Sequence, residues 1–157
     1  MHNTDEHPEI VTTADLAEYQ FVSDLVHWSD DLMRLLEQTT ITAWPDEDRL
    51  QQHLSETLAA AGVEHHREYR LDAASRLDIF IPTRAVPAKP LLRAKGIAVE
   101  VKIKGSAADA LRQLERYAHH DDVLDLVLVT TVASHRGMPT TLNYKPLRVF
   151  PILEGGL

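Results

Sequence analysis

The sequence predicts an α/β fold in which a mixed central β-sheet is flanked by helices on both faces. Three observations lead to this prediction. Residues 96–105 alternate apolar and polar side chains between two glycines, as a half-buried strand does. Residues 45–61 and 106–119 carry apolar side chains at helical spacing. Residues 125–130 form a nearly continuous apolar run after the second helix, which predicts a buried strand parallel to the first strand.

The composition predicts a single domain. The chain has 157 residues, of which 44% are hydrophobic, and this suffices for one core. The absence of cysteine excludes a disulfide framework and a thiolate zinc site. The start of the chain is polar and no run of 18 apolar residues follows, so we expect neither a signal peptide nor a membrane span. We therefore predict a cytoplasmic protein with residues 1–44 as a tail and helical extension of a compact α/β domain, residues 45–157.

The N-terminal extension leaves two interpretations open. Its first ten residues are polar and uncapped, so we expect them to be disordered. Residues 15–38 predict a helix whose apolar side chains spread over more than one face. In one interpretation one side of this helix packs on the domain and the other makes a contact in a homodimer. In the other, residues 29–31 break the segment into a helical hairpin that fills the core.

Two helices flank the predicted sheet. The first, residues 45–61, ends at Gly62, and the second, residues 106–119, has Ser106 as its N-cap. Glu47 lies on the apolar stripe of the first helix, so it is the acid that this helix directs inward, unless it only stabilises the positive end of the helix dipole. The two stripes consist of Leu50, Leu54, Leu58 and Ala61, and of Ala107, Ala110, Leu111, Leu114, Tyr117 and Ala118.

Five stretches predict the strands of the sheet: residues 63–71, 75–82, 96–105, 125–130 and 147–153. The first has charges on both faces, which is typical of an edge strand, and Pro151 places the last one near an edge. The connection over residues 82–95 contains three prolines and four cations and cannot be the interior of a strand. Residues 133–145 predict a loop.

The charge distribution favours an anionic partner for the middle of the chain. The formal net charge is −8, which by itself argues against nucleic acid. Residues 1–66 carry a net charge of −12, residues 67–116 of +5 and residues 117–157 of −1. The positive segment either attracts phosphate or forms a solvated basic face.

Three charged side chains on neighbouring predicted strands form the candidate site. Asp78 stands alone in an apolar run, where an isolated carboxylate is costly to bury unless a positive charge lies against it. Glu100 and Lys102 share one face of the central strand. Together they predict an oxygen-rich cavity for a hard divalent cation with an amine at its edge.

The pattern Asp-(21 residues)-Glu-Val-Lys, from Asp78 to Lys102, resembles the PD-(D/E)XK nuclease superfamily, with Leu77 in place of the leading proline. The helix that follows contains Gln113 and Tyr117 at a spacing similar to the Gln-x-x-x-Tyr signature of RecB-type exonucleases. The resemblance covers residues 45–153. It implies a restriction-endonuclease-like fold and a Mg²⁺- or Mn²⁺-dependent deoxyribonuclease, with endonuclease and exonuclease activity both open.

The resemblance also implies a role for each site residue. Asp78, Glu100, the main-chain carbonyl of Val101 and Glu47 would hold one or two Mg²⁺ or Mn²⁺ ions. Lys102 would orient or deprotonate the attacking water and stabilise the charge on phosphorus. Gln113 would position Lys102 or a metal-bound water, and Tyr117 would support a phosphate or the glutamine. The cations expected along the DNA backbone are Arg84, Lys89, Arg93, Lys95, Lys104, Arg112 and Arg116.

Two other classes of function remain as alternatives. One is a module on a nuclease-like fold that binds nucleic acid without cleaving it, or that docks a protein through the acidic N-terminal helix. The other is a sugar or nucleotide enzyme that uses Glu and Asp as acid and base, which leaves Lys102 and Gln113 without a role.

Overall fold

The computed structural model describes residues 29–41, 44–82 and 94–153. These residues form a six-stranded mixed β-sheet flanked by helices, which confirms the predicted α/β class. Three groups of predictions concern residues outside the described ranges: the disordered start, most of the dimer helix, and the loop cations Arg84, Lys89 and Arg93. Within the described ranges, no helix combines the length and the apolar character that crossing a bilayer requires.

Three helices and six strands are described. The described part of helix α1 covers residues 29–38. The other elements are α2 (Glu47–Ala60), β1 (His66–Arg70), β2 (Arg76–Pro82), β3 (Gly96–Lys102), α3 (Ala107–Ala118), β4 (Val123–Thr130), β5 (Thr141–Leu142) and β6 (Lys145–Pro151). A 3₁₀ helix, Ala133–Gly137, follows β4.

The strands lie in the order β1-β2-β3-β4-β6-β5. Strand β2 is antiparallel to both of its neighbours, β1 and β3, whereas β3, β4 and β6 are parallel. The edge position of β1 and the parallel pairing of β3 with β4 confirm two predictions. The predicted loop over residues 133–145 was wrong in part, because it contains β5, which forms a hairpin with β6. Asn143 and Tyr144 both have positive φ at this turn, as a two-residue type I′ hairpin requires.

Side-chain caps determine where the two complete helices begin. The Asp46 carboxylate accepts a hydrogen bond from Arg49 N at 2.8 Å, and the Ser106 hydroxyl accepts one from Asp109 N at 3.1 Å. Helix α2 therefore starts two residues later than predicted, after its cap. Ala61, predicted on the buried stripe, is exposed because it is the C-cap residue, where the helical geometry ends.

The sheet separates two apolar cores. Leucines of α1 and α2 pack against one face of the sheet, on Ile79, Val99 and Val127 among others. Helix α3 packs against the other face, where Tyr117 and Leu114 meet Phe80, Ala98 and Leu128. The central strand was predicted to expose its charged face, but α3 covers that face, so β3 is buried on both sides.

Asp125 in β4 is a buried carboxylate close to Ser29 and Asp30 of α1. Burial raises its pKa to about 6, although the N–H of Leu126, at 2.8 Å from Oδ1, and the charge of Arg148 lower it. The folded protein therefore binds a proton at Asp125 more tightly than the unfolded chain does. Protonation of Asp125 therefore stabilises the fold. This stabilisation is complete below the ordinary pKa of aspartate and is lost as the pH rises through about 6.

Asp125→Asn should raise the free energy of unfolding by about 2 kcal/mol at pH 7 and leave it almost unchanged at pH 4. Urea unfolding at both pH values measures the difference. Asp31→Asn, at an exposed position of α1, should change little at either pH. An equal gain for Asp125→Asn at the two pH values, or a loss at pH 7, would contradict the prediction.

Candidate active site

Glu100 and Lys102 meet at the carboxyl end of β3. They lie two residues apart on the strand, so their side chains share one face. Lys102 Nζ is 2.9 Å from Glu100 Oε1, and the exposed fractions of the two side chains are 20% and 2%. The structure thus brings together the two residues that the sequence predicted as a pair, but it buries the carboxylate almost completely.

Asp78 reaches the same region from β2. The pairing of Ile79 with Val99 places Asp78 opposite Glu100 in the antiparallel register. Asp78 Oδ2 accepts a hydrogen bond from Val101 N at 2.8 Å, so a side chain satisfies a backbone donor of the central strand. The alternation of β2 is interrupted here, because Leu77 packs under α3 whereas Ile79 packs under α1 and α2. This irregularity directs the carboxylate of Asp78 toward β3.

The electrostatics of the site are dominated by its buried negative charge. Burial raises the pKa of Glu100, and the neighbouring Asp78 carboxylate raises it further. Burial also raises the pKa of Asp78, although the N–H of Val101 and the charge of Lys102 lower it. Burial alone would lower the pKa of Lys102, but the charges of Glu100, Glu47 and Asp78 exceed this effect and raise it. Lys102 is therefore an ammonium ion at neutral pH, beside two carboxyl groups that are difficult to ionise together.

One oxygen of this site has no partner. Glu100 Oε2 is buried and accepts no hydrogen bond. A buried polar atom in this state is costly, and native structures leave few of them without a partner or ligand. A buried carboxylate oxygen that lacks a donor, in a group whose charge interacts with that of Asp78, is suited to a cation.

Glu47 lies beside the site but is held by the backbone. Its Oε1 accepts a hydrogen bond from Ile103 N at 3.3 Å, and its charge acts on both Asp78 and Lys102. In the part of the chain that the structure describes, no group of three acidic or histidine side chains is gathered tightly enough to hold a metal ion. The predicted inward direction of Glu47 is therefore observed, whereas its metal coordination stays a prediction, as does that of the Val101 carbonyl.

Gln113 and Tyr117 form a short hydrogen-bonded chain under the site. Gln113 Nε2 donates to the Tyr117 hydroxyl at 2.7 Å, and this hydroxyl donates to the carbonyl of Arg76 at 2.8 Å. Burial and the charge of Glu100 raise the pKa of Tyr117, so the phenol stays protonated and remains a donor. These two hydrogen bonds therefore connect helix α3 to the start of β2, two residues before Asp78.

No family model, curated protein or solved structure matches this chain. Any assignment to a nuclease superfamily thus depends on the motif residues and on their arrangement.

The predicted DNA-binding cations are spread over the domain. Lys104 precedes α3, Arg112 lies in the middle of this helix and Arg116 in its last turn. All three side chains are exposed, and Arg112 is ion-paired with Asp109. Lys95 precedes the amino end of β3, roughly 20 Å along the strand from Lys102. The structure therefore does not bring Lys95 to the site.

The sequence analysis missed the residues that hold the carboxyl end of β3. His135 is fully buried, with Nδ1 2.8 Å from Thr130 Oγ1 and Nε2 3.2 Å from the carbonyl of Gly105. Thr131 N also donates to the carbonyl of Lys102 at 3.1 Å. A histidine in a stretch predicted as a loop gave no signal of this role, because its partners lie 5 and 30 residues away.

Proposed function

We propose that this protein is a metal-dependent deoxyribonuclease of the PD-(D/E)XK type. Its active site, formed by Asp78, Glu100 and Lys102, would hydrolyse phosphodiester bonds. The observation that carries the proposal is the meeting of these side chains at one end of β3, with a buried oxygen of Glu100 left without a partner. A restriction-endonuclease-like identity of the fold belongs to the same proposal. It is supported by the Asp on an antiparallel neighbour of the Glu-x-Lys strand and by the Gln-x-x-x-Tyr helix that crosses to a parallel strand.

The residues present fit a hard divalent cation. Glu100 and Asp78, with the main-chain carbonyl of Val101, would supply the oxygens, and Glu47 would approach from α2. Mg²⁺ or Mn²⁺ bound there would neutralise the scissile phosphate and acidify a bound water. With such an ion bound, the buried carboxylates would keep their negative charge, because the opposite charge would offset the burial that raises their pKa in the free protein.

Lys102 has a distinct task in this proposal. Its ammonium group is held by Glu100 at 2.9 Å and keeps its proton at neutral pH. A protonated lysine donates hydrogen bonds, so in this state Lys102 orients the phosphate or the water and stabilises the negative charge on phosphorus. Tyr117 and Gln113 support the strand that carries Asp78 and need not touch the substrate.

One observation favours a second candidate, a module that binds nucleic acid without cleaving it. Among the described residues, the acidic side chains are engaged by Val101 N, Ile103 N and Lys102, and no group of three is arranged for a metal ion. A site in which each carboxylate has at least one partner can persist without a metal.

Metal binding separates the two candidates. Asp78→Asn should weaken Mn²⁺ binding in calorimetry at least about tenfold and abolish nicking of a supercoiled plasmid, because it removes one of the anionic oxygens. Asp31→Asn is the matched control, since it removes the same charge at an exposed position of α1. Retention of DNA by the parent protein without any cleavage in Mg²⁺ or Mn²⁺, or Mn²⁺ affinity that Asp78→Asn leaves unchanged, would favour the non-cleaving module.

A further inference from the structure

Two arginines lie directly opposite each other at the edge of the sheet beside the site. Arg70 of β1 is the cross-strand partner of Arg76 of β2, and both side chains are exposed. Like charges in direct cross-strand opposition are unfavourable. Such a pair is stabilised when an anion binds between or beside the two guanidinium groups.

A carboxylate of β1 contacts Arg76. Glu68 Oε2 is 2.8 Å from Arg76 Nε, and more than two-fifths of the Glu68 side chain is exposed. Glu68 has φ of 53°, a left-handed conformation that is uncommon for glutamate. The register of β1 and β2 places it opposite Asp78, and its charge acts on that carboxylate. Glu68 is therefore a solvent-accessible counter-ion at the border of the site.

The main chain of Arg76 is held by Tyr117. Its carbonyl accepts the hydrogen bond from the Tyr117 hydroxyl at 2.8 Å, and Asp78 follows two residues later. The ion pair with Glu68 uses Nε of the guanidinium. The planar fork of arginine suits two oxygens of a phosphate group, whereas an exposed ion pair with one carboxylate is weak.

We propose that Arg76, with Arg70 beside it, binds a phosphate of the nucleic-acid strand next to the scissile bond, and that Glu68 is the counter-ion that this phosphate displaces. The identity of the ligand as a nucleic acid rests on the proposed function. The two members of one ion pair thus have opposite effects on substrate: Arg76 attracts the strand, and Glu68 competes with it.

The opposite effects of Arg76 and Glu68 on binding can be tested, because a salt bridge with only a structural role would not produce them. The probe is a fluorescein-labelled DNA oligonucleotide, titrated with the full chain in EDTA and followed by fluorescence anisotropy. Arg76→Gln should weaken binding about tenfold and reduce the slope of log affinity against log salt by about one. Glu68→Gln should tighten binding about threefold, and the double variant should behave like Arg76→Gln.

Matched controls separate this effect from net charge. Arg34 and Asp31 form an exposed ion pair on α1, so Arg34→Gln and Asp31→Asn repeat the two charge changes at another element. Each should change affinity less than about twofold. Melting temperatures establish that the variants are folded, and Arg76→Lys, which keeps the charge but not the fork, should lie between the parent and Arg76→Gln.

The outcomes also distinguish this inference from the proposed function. Opposite shifts for Arg76→Gln and Glu68→Gln in a protein that cleaves nothing would support the phosphate site and overturn the nuclease. Cleavage by the parent together with shifts in the same direction, or no larger than those of the controls, would overturn the phosphate site alone. Absence of oligonucleotide binding by the parent in EDTA would overturn the phosphate site, whereas absence of cleavage in Mg²⁺ or Mn²⁺ would overturn the nuclease.

Discussion

Replacing Glu100 by glutamine is expected to abolish cleavage and at the same time to stabilise the fold. Cleavage should fall at least about 10³-fold, because the substitution removes a negative charge that the proposed metal site requires. The free energy of unfolding should rise by about 2 kcal/mol at pH 7, because a buried carboxylate next to Asp78 is replaced by a neutral amide. Plasmid nicking measures the first effect, and urea unfolding measures the second.

The stabilisation should depend on pH with a definite sign. The pKa of Glu100 is raised in the folded protein, so protonation of Glu100 stabilises the fold. This stabilisation is complete below the ordinary pKa of glutamate and is lost as the pH rises through the raised pKa. The gain in Glu100→Gln should therefore be small at pH 4 and grow toward pH 8. Glu115→Gln, at an exposed position of α3, is the control. Undiminished cleavage, or a gain of the same size at both pH values, would contradict the account of this site.

Lys102→Ala should also abolish cleavage, but it should cost stability. It leaves Glu100 Oε1 without the ammonium group at 2.9 Å in a position that is 2% exposed. The loss should be small near pH 6, where the carboxyl group can take up a proton, and should approach about 2 kcal/mol near pH 9, where it must be charged. Thermal and urea unfolding across this pH range test the stability, and nicking assays at each pH test the activity.

Lys102→Gln separates the effect of Lys102 on cleavage from its effect on stability. The amide retains an N–H donor for Glu100 but carries no charge, so this variant should keep most of the stability and none of the cleavage. Arg34→Gln, at an exposed position of α1, should retain both. A Lys102→Ala protein as active as the parent would remove Lys102 from the mechanism.

The part of the site that lies within one strand could be predicted from the sequence. Glu100 and Lys102 were expected on one face because strand periodicity is local, and the parallel pairing of β4 followed from the α3 crossover. The burial of Glu100 could not be predicted from its own strand, because it depends on which face α3 covers. Periodicity described β3 as half-buried, whereas tertiary packing buried both of its faces.

The non-local contacts of the site had no signal in the sequence. Asp78 was singled out as an acid in an apolar run, but its bond to Val101 N depends on an irregularity in β2 that alternation does not reveal. Glu68 appeared as one of several charges on an edge strand, and its left-handed backbone became visible only in the structure. The hairpin of β5 and β6 was missed because its turn has Asn143-Tyr144 rather than a sequence with glycine.

The bonds of His135 to Thr130 and Gly105 have a consequence for how a ligand would be received. They join the ends of β3 and β4 through a side chain that solvent does not reach. The segment that carries Lys102 is thus ordered while the chain folds, before any substrate arrives. The entropy of fixing that segment is therefore lost during folding and not during binding, so a phosphate of the proposed substrate would meet an amine that is already in position.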